Sequence, residues 1–152
     1  MREYVVYTDG GCDPNPGPGG WAALIIHGKT RRELSGAEAH STNNRMELTA
    51  AIQALKAIDE PAVVTIYTDS QYLQKGISEW MPKWLAKKWR GTSGPVANQE
   101  LWKELLDVSG RYMVSWHWLR GHSGHAENER VDYLCRAARR ELMRQKLRQV
   151  GK

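Results

Sequence analysis

Two segments of the chain end alike. Tyr4-Val5-Val6-Tyr7-Thr8-Asp9-Gly10-Gly11 and Ala62-Val63-Val64-Thr65-Ile66-Tyr67-Thr68-Asp69-Ser70 are both unbroken apolar and β-branched runs that close on Tyr-Thr-Asp. Runs of this kind read as strands buried on both faces, near the middle of a sheet. If they pair in parallel, Asp9 and Asp69 emerge side by side at one edge. That edge is where open α/β sheets bind their ligands.

The remaining segments read as support for this pair. Cys12 to Gly20 is rich in Pro and Gly and reads as a turn. Trp21 to His27 and Arg32 to Gly36, joined by a Gly28-Lys29 turn, read as antiparallel neighbours of the first strand. The first turn is no phosphate loop, because a strand and not a helix follows it. Ser41-Thr42-Asn43-Asn44 is a cluster of capping residues ahead of a helix from about Arg45 to Ile58. On that helix Glu47, Ala51, Ala54 and Ile58 share one face, widened by Leu48, Ile52 and Leu55. Glu47 therefore heads a stripe that packs on the sheet; the competing reading is a capping box with Asn44. Ser70 can cap a helix running through Gly76. A second stretch, Ser78 to Trp89, is interrupted at Pro82. Gly91 to Pro95 reads as a loop, Asn98 to Val108 as a helix facing inward through Leu101, Leu105 and Val108, and Tyr112 to Leu119 as a strand. A glycine-flanked loop, Arg120 to His125, leads to a closing helix from about 126 to 147. Its apolar stripe is Val131, Leu134, Cys135, Ala138 and Leu142, with Asp132 beside it.

Asp9, Glu47, Asp69 and Asp132 form a constellation: two end strands, and two sit near helix N-termini on or beside buried faces. Four converging carboxylates repel one another unless some stay protonated or a cation joins them. All-oxygen donors suit Mg²⁺, with Mn²⁺ as a substitute, and not zinc. Two such ions about 3.5–4 Å apart can stabilise both the attacking and leaving oxygens of a phosphoryl displacement. Taken singly, each acid also reads as a cap or surface group, and Asp132 as a partner of the helix dipole. His122, between glycines, suits a mobile proton carrier, although a lone loop histidine is also ordinary polar surface. His122 and His125 with Cys12 or Cys135 match no standard zinc spacing.

Charge is unevenly spread. Net charge is +5, yet Trp80 to Arg90 holds Lys83, Lys87, Lys88 and Arg90 with no acid, and Arg136 onward carries seven bases against Glu141 alone. The remainder is net acidic. Basic surfaces beside an acidic centre suggest a polyanion held over a cation site, with solvated helix faces as the alternative. The tryptophans Trp80, Trp84 and Trp89 have two readings as well, core at helical spacing or a nucleic-acid grip between lysines. At 152 residues one domain is expected. No apolar run approaches the roughly 20 residues of a membrane helix. Met1-Arg2-Glu3 leads straight into a strand, leaving no room for a signal peptide. Two cysteines outside any CxxC pattern suggest a reduced, cytoplasmic setting.

Tyr7–Gly11, Thr42–Leu48 (Thr-Asn-Asn-Arg-Met-Glu-Leu), Thr68–Tyr72 (Thr-Asp-Ser-Gln-Tyr) and Gly121–Asp132 resemble the corresponding motifs of bacterial type 1 ribonuclease H, collinearly from about residue 3 to 140. The resemblance implies an α/β ribonuclease H-like fold: a five-stranded mixed sheet, three strands antiparallel and two parallel, flanked by helices, in a single domain. It implies Mg²⁺-dependent endonucleolytic hydrolysis of the RNA strand of RNA–DNA hybrids, leaving a 5′-phosphate and a 3′-hydroxyl, by a monomeric cytoplasmic enzyme. By motif, Asp9, Glu47, Asp69 and Asp132 match the metal-binding carboxylates, with Asp9 bridging both ions. His122 matches a histidine that assists proton transfer or product release. Asn15, Asn43, Asn44 and Gln71 match residues that approach the hybrid's minor groove, where RNA shows its 2′-hydroxyls, with Cys12 beside them among the substrate contacts. Thr42 lies where the family contacts a DNA phosphate. The segment at about 77–95 resembles a basic protrusion, or handle, whose Trp80, Lys83, Trp84, Lys87 and Lys88 would hold substrate.

Two departures stand out. Gly91-Thr92-Ser93-Gly94 is uncharged where some relatives carry lysine, which implies weaker hybrid affinity. Cys135 stands where alanine is commoner. No N-terminal hybrid-binding domain is expected, so the handle supplies much of the grip. A non-catalytic hybrid-binding module need not keep the four carboxylates. A strand-transfer or junction nuclease shares them, but not the Thr42–Asn44 stretch together with the glycine–histidine loop.

Overall fold

The computed structural model describes residues 2–91, 94–120 and 125–150. Five strands form one mixed sheet. They are β1 (Arg2–Cys12), β2 (Gly17–His27), β3 (Thr30–Ser41), β4 (Ala62–Thr68) and β7 (Met113–Trp118), in the order β3-β2-β1-β4-β7. β1 to β3 pair antiparallel; β4 lies parallel to both β1 and β7. The β1–β4 register runs Val5↔Thr65, Val6↔Ile66, Tyr7↔Tyr67. Continued two residues, it sets Asp9 beside Asp69, as the matching strand ends require.

Side chains alternate across the sheet and divide the core in two. Val6, Ala23, Ile25, Val64 and Ile66 point to one side, against α1 (Asn43–Lys56) and α4 (Gln99–Ser109). Ala22 and Leu24 point to the other, against Val131 and Cys135 of α5 (Ala126–Val150). α1 buries the stripe expected of it, including Leu48, Ala51, Ile52, Ala54 and Leu55. Its N-cap is Thr42, whose Oγ1 accepts from the Arg45 N–H at 3.2 Å. The capping box is thereby excluded, since Glu47 lies two residues beyond the position that could reach back to the cap.

After β4 the chain coils without a break from 71 to 86: α2 (Gln71–Lys75), a π-helical turn (Gly76–Trp80) and α3 (Met81–Ala86). Pro82 does not interrupt it, because it falls in the first turn of α3, where its missing N–H costs nothing. The helix ends before Trp89: Lys88 and Trp89 take φ of +53° and +66°, a left-handed pair that costs side-chain-bearing residues about 1–2 kcal/mol each. Arg90–Gly91 (β5) and Gly94–Pro95 (β6) pair as a short antiparallel ladder, where a loop is expected from composition.

Other boundaries are corrected by tertiary contact. Gly17–Gly20 is strand, not turn: Gly19 and Gly20 pair with Cys12 and Gly11. β3 is longer than the Arg32–Gly36 core of its pattern. On α4 the deepest inward residue is Trp102, fully buried, while Leu101 is half-buried. α5 continues to Val150.

The glycines of the Asp-Gly-Gly and Gly-Gly-Trp segments are places of close approach. A Cβ on Gly10 would stand 2.4 Å from the Met46 carbonyl and 2.6 Å from the Glu47 nitrogen. One on Gly20 would stand 2.3 Å from the Cys135 carbonyl oxygen. Each helix therefore rests on strand backbone. Gly10→Ala should lower stability by about 1–3 kcal/mol, the cost of forcing extra atoms into a filled contact. Urea unfolding measures it, and an unchanged midpoint would refute the seating of α1 on β1.

Candidate active site

β1 and β4 deliver Asp9 and Asp69; α1 and α5 bring Glu47 and Asp132 from opposite faces of the sheet. Asp9 takes one hydrogen bond from its neighbour, the Gly10 N–H at 2.9 Å. Burial, the Asp69 charge and the Asp132 charge, with a carboxyl–carboxyl hydrogen bond to Asp132, push its pKa from 3.8 up to about 8. Burial raises Glu47 to about 7; the Ser70 hydroxyl, which donates to Glu47 Oε2, pulls it back, and Asp69 pushes it up. Asp69 is the member that both Asp9 and Glu47 feel. The structure thus brings the four predicted acids into one mutually repelling group.

Neighbours fix these acids. Ser70 Oγ accepts from the Leu73 N–H at 3.1 Å, capping α2, while it donates to Glu47. The Asp69 carbonyl accepts from Trp118 Nε1 at 3.1 Å, and the Leu119 N–H donates to the Thr68 carbonyl at 2.7 Å, so β7 pins the end of β4. Arg136, one turn beyond Asp132, holds its Oδ2 at 2.9 Å. Ser70 is the expected cap of α2; its bond to Glu47 and the roles of Trp118 and Arg136 are not among those expected from sequence. The i, i+4 spacing of Asp132 and Arg136 is the one signal that could have suggested its pair.

Among the described residues no three acidic, histidine or cysteine groups close into a ready-made metal cage. Mg²⁺ asks for none: it keeps several waters and takes one or two carboxylates together with substrate phosphate oxygens. Oxygen donors that repel each other enough to retain a proton at neutral pH have the chemistry of such a site.

The asparagines are built into the adjoining turn. Asn43 Oδ1 accepts from the Cys12 N–H at 2.7 Å, and Asn15 Oδ1 accepts from the Asn43 N–H at 3.0 Å. Their oxygens are thereby used internally, leaving the amide N–H₂ groups as donors. Asn15, Asn44 and Gln71 are exposed; Cys12, Thr42 and Asn43 are half-buried. His122 lies outside the described residues.

The tryptophan-rich segment combines both of its readings. Trp84 packs on Trp102, Trp80 and Trp89 at centroid distances of 5.4, 5.9 and 6.0 Å, and Tyr72 touches Trp80 and Trp102. Tyr72, Trp84 and Trp89 are half-buried extensions of the core around the fully buried Trp102. The outer edges of Trp80 and Trp84, with Lys83, Lys87, Arg90 and Gly91, line a groove of about 450 Å³. Arg90 joins the predicted residues there; Lys88 does not line the groove. A polar chain ties this segment to α1: Arg45 Nη1 donates to Asn98 Oδ1, and Asn98 Nδ2 and Trp102 Nε1 both donate to the Tyr72 hydroxyl.

Comparison with known proteins agrees with this geometry. The RNase H family model matches residues 1–140. A ribonuclease H of Cupriavidus necator is 52% identical over 136 residues, covering 89% of this chain and 94% of its own length. One of Hahella chejuensis is 49% identical over 144 residues, 94% and 97% of the two chains. The crystal structure of LC9-RNase H1, a type 1 RNase H with the type 2 active-site motif, superposes with a TM-score of 0.83 at 32% identity, over 91% of this chain and 72% of that one. LC11-RNase H1, solved in complex with an RNA/DNA hybrid, shares the fold at a TM-score of 0.71 and 20% identity, over 92% of this chain and 99% of that one. With its carboxylates gathered where the two Tyr-Thr-Asp strands end, and with relatives matching nearly its whole length, the chain belongs to the ribonuclease H family of nucleases.

Proposed function

We propose that this enzyme hydrolyses the RNA strand of RNA–DNA hybrids endonucleolytically, leaving 5′-phosphate and 3′-hydroxyl ends. The observation that carries the reading is the convergence of Asp9, Glu47, Asp69 and Asp132, with Asp9 and Glu47 driven far above ordinary carboxylate pKa values. Those four residues would hold Mg²⁺, or Mn²⁺ in its place, and a bound pair of such ions supplies activation of the attacking water and stabilisation of the leaving 3′-oxygen.

The protein's own contribution is placement. Ser70 and Arg136 orient Glu47 and Asp132. Asp9, central to the group, faces both Asp69 and Asp132. The N–H₂ groups of Asn15 and Asn43, with Asn44 and Gln71, approach the minor groove and read the RNA strand's 2′-hydroxyls. Thr42 takes a DNA phosphate. The groove at Trp80, Lys83, Trp84 and Lys87 grips the hybrid's sugar–phosphate backbone, with the segment at about 77–95 as the handle. His122 carries the proton to the leaving oxygen or aids product release. No described helix is long and apolar enough to cross a membrane. The enzyme works as a cytoplasmic monomer, a setting that keeps the free thiols of Cys12 and Cys135 reduced.

Matched RNA–DNA, RNA–RNA and DNA–DNA duplexes, with Mg²⁺ or with chelator, test substrate and cofactor together. Metal-dependent cutting of only the hybrid's RNA strand is expected, and Asp9→Asn should abolish it. Cutting of the other duplexes, or an active Asp9→Asn enzyme, would overturn the assignment. His122→Ala should slow turnover by about 10²-fold at saturating substrate without weakening metal binding; unchanged turnover would remove His122 from the mechanism.

Stability carries a separate signature. The folded Asp9 pKa of about 8 lies above the ordinary 3.8. Native protein therefore binds this proton more tightly than the unfolded chain. The resulting stability is intact below about pH 4 and is lost as pH rises towards 8. In metal-free protein, Asp9→Asn should be clearly more stable than the parent at pH 8 and no more stable than it at pH 4. Urea unfolding with chelator at both pH values checks this, and equal gains would contradict it.

A further inference from the structure

We infer that the distal half of α5 and the β1–β2 turn form an additional binding track for the backbone of the hybrid, with Arg139, Arg140 and Arg144 as its phosphate contacts. This deepens the hybrid-hydrolase reading and rests on it.

The placement follows from helix geometry. Asp132, Arg136, Arg139 and Met143 follow one another at i, i+4, i+7 and i+11, which is one face of a helix. The face that brings Asp132 into the carboxylate group therefore continues through Arg136 and Arg139, with Arg140 and Arg144 flanking it one residue on. It passes directly over β2, where a Cβ on Gly20 would meet the Arg139 backbone and Cβ at 3.3 Å. Beyond that point Asp13, from the turn between β1 and β2, joins Arg139, Arg140, Met143, Arg144 and Leu147 around a groove of about 350 Å³. The same turn carries Asn15, which is bonded to Asn43. A hybrid resting on those asparagines thus has this groove as the continuation of its bed. From Asp132 to Arg144 is about 18 Å along the helix, roughly five base-pair steps.

Charge selects the occupant. Neither Arg139 nor Arg140 has an ion-pair partner among the described residues, and Arg144 reaches Glu141 only at 3.8 Å. Asp13 lines the groove and Glu141 reaches Arg144, two acids against three guanidinium groups, so the groove stays basic. Met143 and Leu147, 43% and 70% exposed, give it an apolar side suited to the sugar edge. Phosphate contacts with sugar packing position a duplex without reading its sequence.

The test uses the full-length enzyme with Mg²⁺ and the double variant Arg140→Gln/Arg144→Gln. Both sites are exposed, and glutamine is a good helix former. On a hybrid of about 20 base pairs KM should rise about tenfold with kcat unchanged, and the salt dependence of hybrid affinity should flatten by about 2, one for each phosphate no longer neutralised. A hybrid of about 5 base pairs centred on the carboxylates, too short to reach Arg140, should show little change. Arg111→Gln, whose partner is Asp107, controls for the removal of a positive charge. Unchanged KM and salt slope on the long hybrid would overturn the track and leave the basic groove to a protein partner. An equal weakening on both hybrids would also overturn it, since the groove would then act through the active site. If the parent enzyme itself fails to cut hybrid, the substrate reading falls instead.

Discussion

Like charges crowded at the end of a sheet are the constraint on which the rest of this molecule depends. Asp9 and Asp69 leave adjacent parallel strands in matching register, and a third carboxyl reaches Asp9 from α5. Left to themselves, such groups would spread apart. They are held by main-chain pairing on both sides of β4, by the indole of Trp118 on the Asp69 carbonyl and by the two helices resting on strand backbone. Part of the folding free energy is thus committed to keeping an unfavourable arrangement, the usual sign that a site is built for a ligand of opposite charge.

The two flanking helices solve different parts of this problem. α1 contributes a short, almost wholly apolar stripe and a single acid at its head, so Glu47 sits half-buried beside the packing that forms the main core. α5 contributes a narrow apolar seam and a long cationic surface, so Asp132 stays half-exposed and takes an arginine as companion. Similar acids thereby meet different surroundings: Glu47 is tuned by burial and a hydroxyl, while Asp132 lies in an ion pair open to solvent.

Much of this is legible in the sequence, and the misses have specific causes. The paired Tyr-Thr-Asp endings identify the strand neighbours, and helical periodicity puts Glu47 in line with the buried stripe. Gly17 to Gly20 misleads, because glycine marks turns and close backbone approach equally well, and only the position of α5 separates the two. Trp102 escapes notice on α4 because leucines alone already satisfy the spacing; it is the ring on which Trp84 and Tyr72 are assembled. The tryptophans resist a single reading because each side chain is large enough to be core at its base and surface at its rim. Ser70 is recognisable as a cap, but its second bond to Glu47 depends on a contact between residues 23 apart in the chain.

The seating of helices on bare backbone has a consequence for how such a site can vary. Where two elements meet through leucine and isoleucine, one side can shrink as the other grows, and the spacing drifts by tenths of an ångström at modest cost. At Gly10 and Gly20 there is no side chain to exchange. The offset between strand and helix is set by covalent geometry and van der Waals radii, quantities that substitution elsewhere cannot adjust. The cores can therefore be rewritten residue by residue, while the separation of the carboxylates stays the same.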